Sequence, residues 1–222
     1  MDDTTVRMSR MRKLIARRMH ESLQGSAQLT LVSTADVTEL TALRSRWEGE
    51  LRPTFTDAVI RASALALREH PGVNARLEDE TIVHAGQVNI GMAVALEGGL
   101  VVPVVRGADE LPLAELATVT RDLAERSRTG RLGMDDLEGG TFTVTSLGGQ
   151  GIDAFTPVLN PPESAILGVG RSRPLAVPDS GGVAWRQEMT LSLTIDHRVV
   201  DGYPGALFLA RVAALLAQPS GL

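Results

Sequence analysis

The sequence predicts an α/β fold, a two-layer sandwich of helices on a mixed sheet. Two observations carry that reading. Helical and strand-like periodicities are interleaved without strict alternation, which argues against a barrel or a Rossmann sheet. The stretch 183–195 alternates cleanly, with Val183, Trp185, Met189, Leu191, Leu193 and Ile195 on one face, as a half-buried strand does. No period of 20–50 residues repeats and no linker is visible, so residues 1–222 read as a single domain.

The elements follow in order. Residues 7–24 place Met8, Met11, Ile15, Met19 and Leu23 at helical spacing, with arginines on the other faces. Residues 28–36 alternate like a strand. Leu40, Leu43, Trp47 and Leu51 predict a helix over 38–51, broken by Pro53. A largely buried helix is expected from Thr54 to Glu69, stopped by His70-Pro71-Gly72. Strands are expected at 87–96 and 100–106, with Glu97-Gly98-Gly99 turning between them. Pro112 opens a helix that runs to about Ser127. Strand 141–146 leads into a glycine loop, Asn160-Pro161-Pro162 turns the chain, and strand 165–170 follows. Asp196 to Gly202 is a turn, and Pro204 opens a last helix carrying Leu207, Phe208, Val212, Leu215 and Leu216.

Composition narrows the chemistry. The 222 residues include no cysteine, which excludes disulfides, a cysteine nucleophile and thiolate-held metals. Any thiol chemistry must use another molecule's sulfur. A net charge of −5 and only four Phe, two Trp and one Tyr argue against nucleic-acid binding. Lys13 is the only lysine among 22 basic residues, so a lysine-tethered prosthetic group has one address, in a basic helix. No metal centre is expected. No run of 18 apolar residues and no secretory leader are visible, so a cytoplasmic protein away from membranes is expected.

Four histidines exist. His20, His70 and His84 read as surface residues. His197 differs: Asp196, Arg198 and Asp201 bracket it where a strand meets a turn, and a carboxylate neighbour can fix an imidazole's tautomer. A charged turn closed by Gly202 explains the same residues, and both readings stand at this point. Thr143, Thr145 and Ser146 precede Leu147-Gly148-Gly149-Gln150-Gly151. Hydroxyls there can donate to an oxyanion, the glycine loop can cradle phosphate though it lacks the Gly-Lys-Ser/Thr ending of a P-loop, or it can be a plain β-turn. Arg10, Arg12, Lys13, Arg17 and Arg18 could contact nucleic acid or membrane, but the acidic whole favours a solvated or interface face, and an arginine fork there could also hold a carboxylate from elsewhere in the fold.

Taken together, these stretches resemble a known family. DHRVVDG (196–202) is similar to the His-x-x-x-Asp-Gly signature of coenzyme A-dependent acyltransferases. RKLIARRM (12–19), VNIGMAVALEGGLVVPVV (88–105), DLEGGTFTVTSLGGQGI (136–152) and NPPESAILGVG (160–170) resemble the catalytic core of dihydrolipoamide acyltransferases, the core component of 2-oxo acid dehydrogenase complexes. The likeness covers nearly the whole chain. Thr145 and Ser146 depart from it, standing where members often carry serine and asparagine. Residues 25–28 lack the proline and aromatic pattern that many members have there.

The resemblance implies a chloramphenicol-acetyltransferase-like fold and acyl transfer between dihydrolipoamide and coenzyme A. It implies His197 as general base, Thr145 as oxyanion donor, and Asp201 as an orienting residue paired with Arg18 or, second, Arg12. Ser146 and Gly170 would line the coenzyme A side. A thiol titrates near 8.5 and an imidazole near 6.5, roughly, so the proton transfer is modestly uphill. The resemblance also implies a homotrimer, alone or built into a cage, with His197 and Thr145 from different subunits. The lipoyl group would arrive on another domain or chain, because no lipoyl or subunit-binding domain is expected among these residues. The other components of such a complex are the implied partners. A silent core scaffold, or a relative with a hydroxyl acceptor, is the alternative. The retained His197 argues against the scaffold, and the DHR form of the motif argues against the hydroxyl acceptor.

Overall fold

A computed structural model describes residues 2–222. A six-stranded mixed sheet runs β1 (Gln28–Asp36), β10 (Gly182–Asp196), β9 (Ala165–Asp179), β8 (Phe142–Ser146), β4 (Ile90–Met92) and β7 (Val104–Val105), in that spatial order. β1, β10 and β9 pair antiparallel, β9, β8 and β4 parallel, and β4 and β7 antiparallel. One face carries α5 (Gly202–Ala217) on β1 and β10 and α3 (Phe55–Glu69) on β8, with α2 (Thr38–Ser45) and α4 (Leu113–Arg128) packed beside them. Alternate residues of the strands feed this layer. Leu191, Leu193, Ile195, Phe142 and Val144 are buried there, and Phe142 meets Phe208 of α5 edge-on at 5.5 Å between ring centres. The expected sandwich is therefore present.

The second face of the sheet is crossed by the segment after β8. Phe155 and Pro157 lie against Gly168, where a Cβ would come to 3.0 Å from the phenyl ring, so a larger residue would have to displace it. Leu159 is buried in the same crossing. α1 (Arg10–Gly25) begins at Ser9, whose Oγ accepts the Arg12 N–H, and hangs on Ile15, Met19 and Ser22. Most of its remaining residues, the basic ones included, are exposed.

Several boundaries differ from the expectation. The strand expected at 87–96 is two strands in different sheets. After Met92 the chain leaves the main sheet, and β5 (Val94–Leu96) pairs with β6 (Gly99–Val101). The expected 100–106 strand splits likewise at Val102-Pro103, since proline has no N–H for a ladder. The helix expected over 38–51 stops at Ser45. Arg44 turns back, its Nε donating to the Pro53 carbonyl at 2.8 Å and its guanidinium lying 4.1 Å over the Phe55 ring. A hairpin of β2 (Ala75–Glu78) and β3 (Thr81–His84) went unexpected; its exposed Ile82 and acidic Glu78-Asp79-Glu80 turn give little periodic signal. β9 runs nine residues past its expected end at 170, because it forms a ribbon with β10 that overhangs the sandwich. Val183 and Trp185 lie on that overhang, 64% and 69% exposed, while Met189 and Leu191 are buried. Among the described residues no helix is long and apolar enough to cross a membrane.

Candidate functional site

The turn 196–202 is built on one carboxylate. Asp196 Oδ1 accepts the backbone N–H of Ala27 at 3.2 Å and of Arg198 at 3.1 Å. The Arg198 guanidinium grips the same carboxylate, with Nη2 to Oδ2 at 2.6 Å. The Asp196 N–H itself bonds the Ser164 carbonyl at 2.9 Å, and the Asp196 carbonyl accepts from Val199 and Val200. Burial works to raise the Asp196 carboxyl, but the hydrogen bonds from Arg198 and Ala27 outweigh it and hold it below the usual carboxylate range. Its side chain is only 6% exposed. Asp196→Ala should therefore cost about 3 kcal/mol, since it leaves the Ala27 and Arg198 N–H groups without their acceptor and removes the clamp on the Arg198 guanidinium. A depressed folded-state carboxyl contributes stability at neutral pH and loses it as pH falls through its folded value. Urea titrations should show the gap between wild type and variant narrowing only as pH falls below the usual carboxylate range.

His197 stands on this frame. Its N–H donates to the Ala27 carbonyl at 2.8 Å, which continues the β1–β10 ladder by one bond. Its side chain is 47% exposed, with Nδ1 3.5 Å from Asp201 Oδ1, itself on a 79% exposed side chain. Asp201 is the N-cap residue of α5 but makes no side-chain cap, which leaves its carboxylate to face the imidazole. A proton held on Nδ1 towards Asp201 makes Nε2 an acceptor. Of the other histidines, His20 and His84 are exposed, and His70 is half-buried with its ring edge-on to Phe208.

Thr145 lies near the end of β8. Thr145 pairs with Gly168, and Gly168 with Ser192, five residues before His197 on β10. Two strand spacings and five residues of rise put Thr145 roughly 19 Å from His197 within one chain. Thr145 and Ser146 are successive strand residues and point to opposite faces, so they are not interchangeable donors. Gly170 is buried, and a Cβ there would overlap the Asp153 carbonyl. Glycine at that position permits the close approach of the 148–153 loop.

Arg18 and Arg12 do not meet Asp201 within the chain. Arg18 Nη2 donates to the Pro161 carbonyl at 3.0 Å, and the exposed Arg12 contributes its backbone N–H to the Ser9 cap. The reason is the path of α1, whose second half lies along residues 159–164. Between them is a cleft of about 560 Å³, lined by Arg17, Arg18, Glu21, Glu163, Asp196 and Arg198 among others.

Two residues of weight were missed in the sequence. Asp196 was read only as a neighbour of His197, though an aspartate two residues before an arginine is a signal for a bidentate clamp. Glu163 had no signal beyond its place before an apolar strand. It is buried, accepting from Thr143 Oγ1 at 2.5 Å and Asn160 Nδ2 at 3.0 Å. Burial pushes its carboxyl up to about 7, against the opposing pull of those hydrogen bonds and of Arg18.

Comparison with known proteins gives the family. The family described as 2-oxoacid dehydrogenases acyltransferase (catalytic domain) matches residues 1–222. The dihydrolipoyllysine-residue acetyltransferase component of the acetoin cleaving system of Bacillus subtilis is 44% identical over 218 residues, 96% of this chain and 55% of that protein. This chain thus spans about half the length of the curated relatives it matches. Two solved structures superpose at a TM-score of 0.94 with 35% identity, covering 99% of this chain and 93% of theirs. One is the cubic core of the pyruvate dehydrogenase multienzyme complex. The other concerns the role of a serine, a histidine and an asparagine in the catalytic mechanism of Azotobacter vinelandii dihydrolipoamide acetyltransferase. That serine precedes the histidine by the interval that separates Thr145 from His197, and that asparagine follows it by the interval to Asp201. A chloramphenicol acetyltransferase superposes at a TM-score of 0.57 with 14% identity, covering 90% of this chain and 94% of its own, a likeness of fold alone.

Proposed function

The chain belongs to the 2-oxoacid dehydrogenase acyltransferase catalytic-domain family, and from that premise we propose that it transfers an acyl group between dihydrolipoamide and coenzyme A. The observation that supports this most is His197: half-exposed at a strand end, with Nδ1 3.5 Å from Asp201 Oδ1, an arrangement in which Nε2 can accept a proton. Nε2 takes the proton of the attacking thiol. The thiolate adds to the thioester carbonyl, and the Thr145 hydroxyl donates to the oxyanion. The tetrahedral species collapses, the second sulfur leaves, and the imidazole returns the proton to it. No acyl-enzyme forms, in keeping with a chain that has no cysteine.

The 19 Å between Thr145 and His197 in one chain, estimated from the strand register, supports a site completed by a second copy. We therefore propose a homotrimer with sites between subunits, able to build a larger core. The lipoyl group comes from another domain or chain, and other components of a 2-oxo acid dehydrogenase complex are its partners. Asp201 orients His197, and Ser146 and Gly170 line the coenzyme A side. The setting proposed is the cytoplasm.

The test is acyl transfer from acetyl-, succinyl- and branched-chain acyl-coenzyme A to free dihydrolipoamide. Activity with at least one donor is expected, at turnover well above the background thiol exchange. Absence of transfer with every donor would leave the silent scaffold, and preference for a hydroxyl acceptor would leave the other relative.

A further inference from the structure

Glu163 is a buried carboxylate for which the reaction above has no use. Its surroundings join three elements. Oε2 accepts from Thr143 on β8, and Oε1 accepts from Asn160 in the turn before β9. Arg18 on α1 is the cation acting on it, and the same guanidinium holds the Pro161 carbonyl. Thr143 lies two residues from Thr145 on the same face of β8. The residue after Glu163, Ser164, accepts the Asp196 N–H, and Asp196 frames the turn that carries His197. The carboxylate therefore bonds the strand that carries Thr145, and the backbone beside it bonds the turn that carries His197.

We propose that Glu163 is a positioning residue, whose carboxylate ties β8 to the 160–163 turn that Arg18 of α1 grips through the Pro161 carbonyl, and so sets where Thr145 and the His197 turn sit. The inference rests on the acyl-transfer reading. The wall around Glu163 is tight, since a Cβ on Gly140 would stand 2.9 Å from Oε1. The charged groups around it are Arg18, Arg17 and Glu21 from α1, Asp196 and Arg198 from the turn, and Arg76 from β2 beyond Pro162. Asp196 and Arg198 satisfy each other, and Arg17 lies 3.9 Å from Glu21. With its carboxyl pushed up to about 7, Glu163 gains its charge across the neutral range. Above that range its charge attracts Arg18, whose guanidinium sits on the neighbouring Pro161 carbonyl. Below it the attraction is lost, and Thr143 must accept where it had donated.

The experiment is the pH dependence of kcat in wild type, Glu163→Gln and Arg18→Gln. In Glu163→Gln the amide can still accept from Asn160 and donate to Thr143, so the fold is retained while the charge is lost. Its kcat at pH 8 should fall about tenfold, with KM for both thiols within about twofold. The acid limb of log kcat should be steeper than one proton in wild type and drop to one in the variant. Arg18→Gln, at an exposed position, should move the acid limb to higher pH. A Glu163→Gln enzyme with wild-type kcat and an unchanged limb would overturn the proposal, and so would an unmoved limb in Arg18→Gln if Glu163→Gln failed to fold. If wild type transfers no acyl group, the functional reading falls by itself. The Glu163 carboxyl is then followed by carbon-13 shift, and titration near its ordinary value would sink the tie as well.

Discussion

His197→Ala is expected to lower acyl transfer by about 10³-fold or more, the upper part of the range for losing a general base. The geometry offers no substitute. His20 and His84 lie exposed elsewhere, His70 rests on Phe208, and there is no cysteine. Asp201 cannot take over, because a carboxylate is several pKa units too weak a base for a thiol. The loss should fall on kcat, since the proton moves only as the carbon–sulfur bond forms. Folding should be spared. The backbone bond from His197 to Ala27 does not need the imidazole, and the turn hangs on Asp196. Unfolding free energy within about 0.5 kcal/mol of wild type is the matching control. A variant that kept a tenth of the rate would remove His197 from the role of base.

What could be read in advance follows from how local each feature is. β1 matches its expected bounds, because alternation marks a strand and an edge strand needs no further information. The capping box at Thr54 and Asp57 fixes the start of α3 by local chemistry. The turn at His197 was visible for the same reason, as charges and a glycine packed into seven residues. The misses are features set by distant partners. Residues 87–96 look like one strand, yet Met92 bonds Pro103 and Ala93 bonds Val144, and these partners split it. Trp185 keeps the apolar face of β10 but lies beyond the end of the sandwich, which alternation cannot show. Glu163 is an ordinary acidic residue until Thr143 and Asn160, 20 and 3 residues away, close over it. The pairing of His197 with Thr145 came from family resemblance. The distance between them came from the parallel register of β8 on β9, which no periodicity carries.

That distance makes the second large effect the more informative one. Thr145→Ala should lower kcat by about 10²–10³-fold, as expected for one oxyanion donor lost. The side chain makes no hydrogen bond among the described residues that its removal would break, so the fold should be unaffected. If each site takes His197 from one subunit and Thr145 from its neighbour, the two dead variants are complementary. Subunits of His197→Ala and Thr145→Ala, co-expressed in equal amounts and assembled at random, pair an intact histidine with an intact threonine at about one site in four. The mixture should regain about a quarter of wild-type activity, although neither parent has any to spare. A site built within a single chain could not recover, because every chain would carry one lesion. Recovery near a quarter thus reports the subunit boundary through the active site. A mixture no better than its parents would return both groups to one chain, and the strand register forbids that by roughly 19 Å, so it would count against Thr145 as the donor.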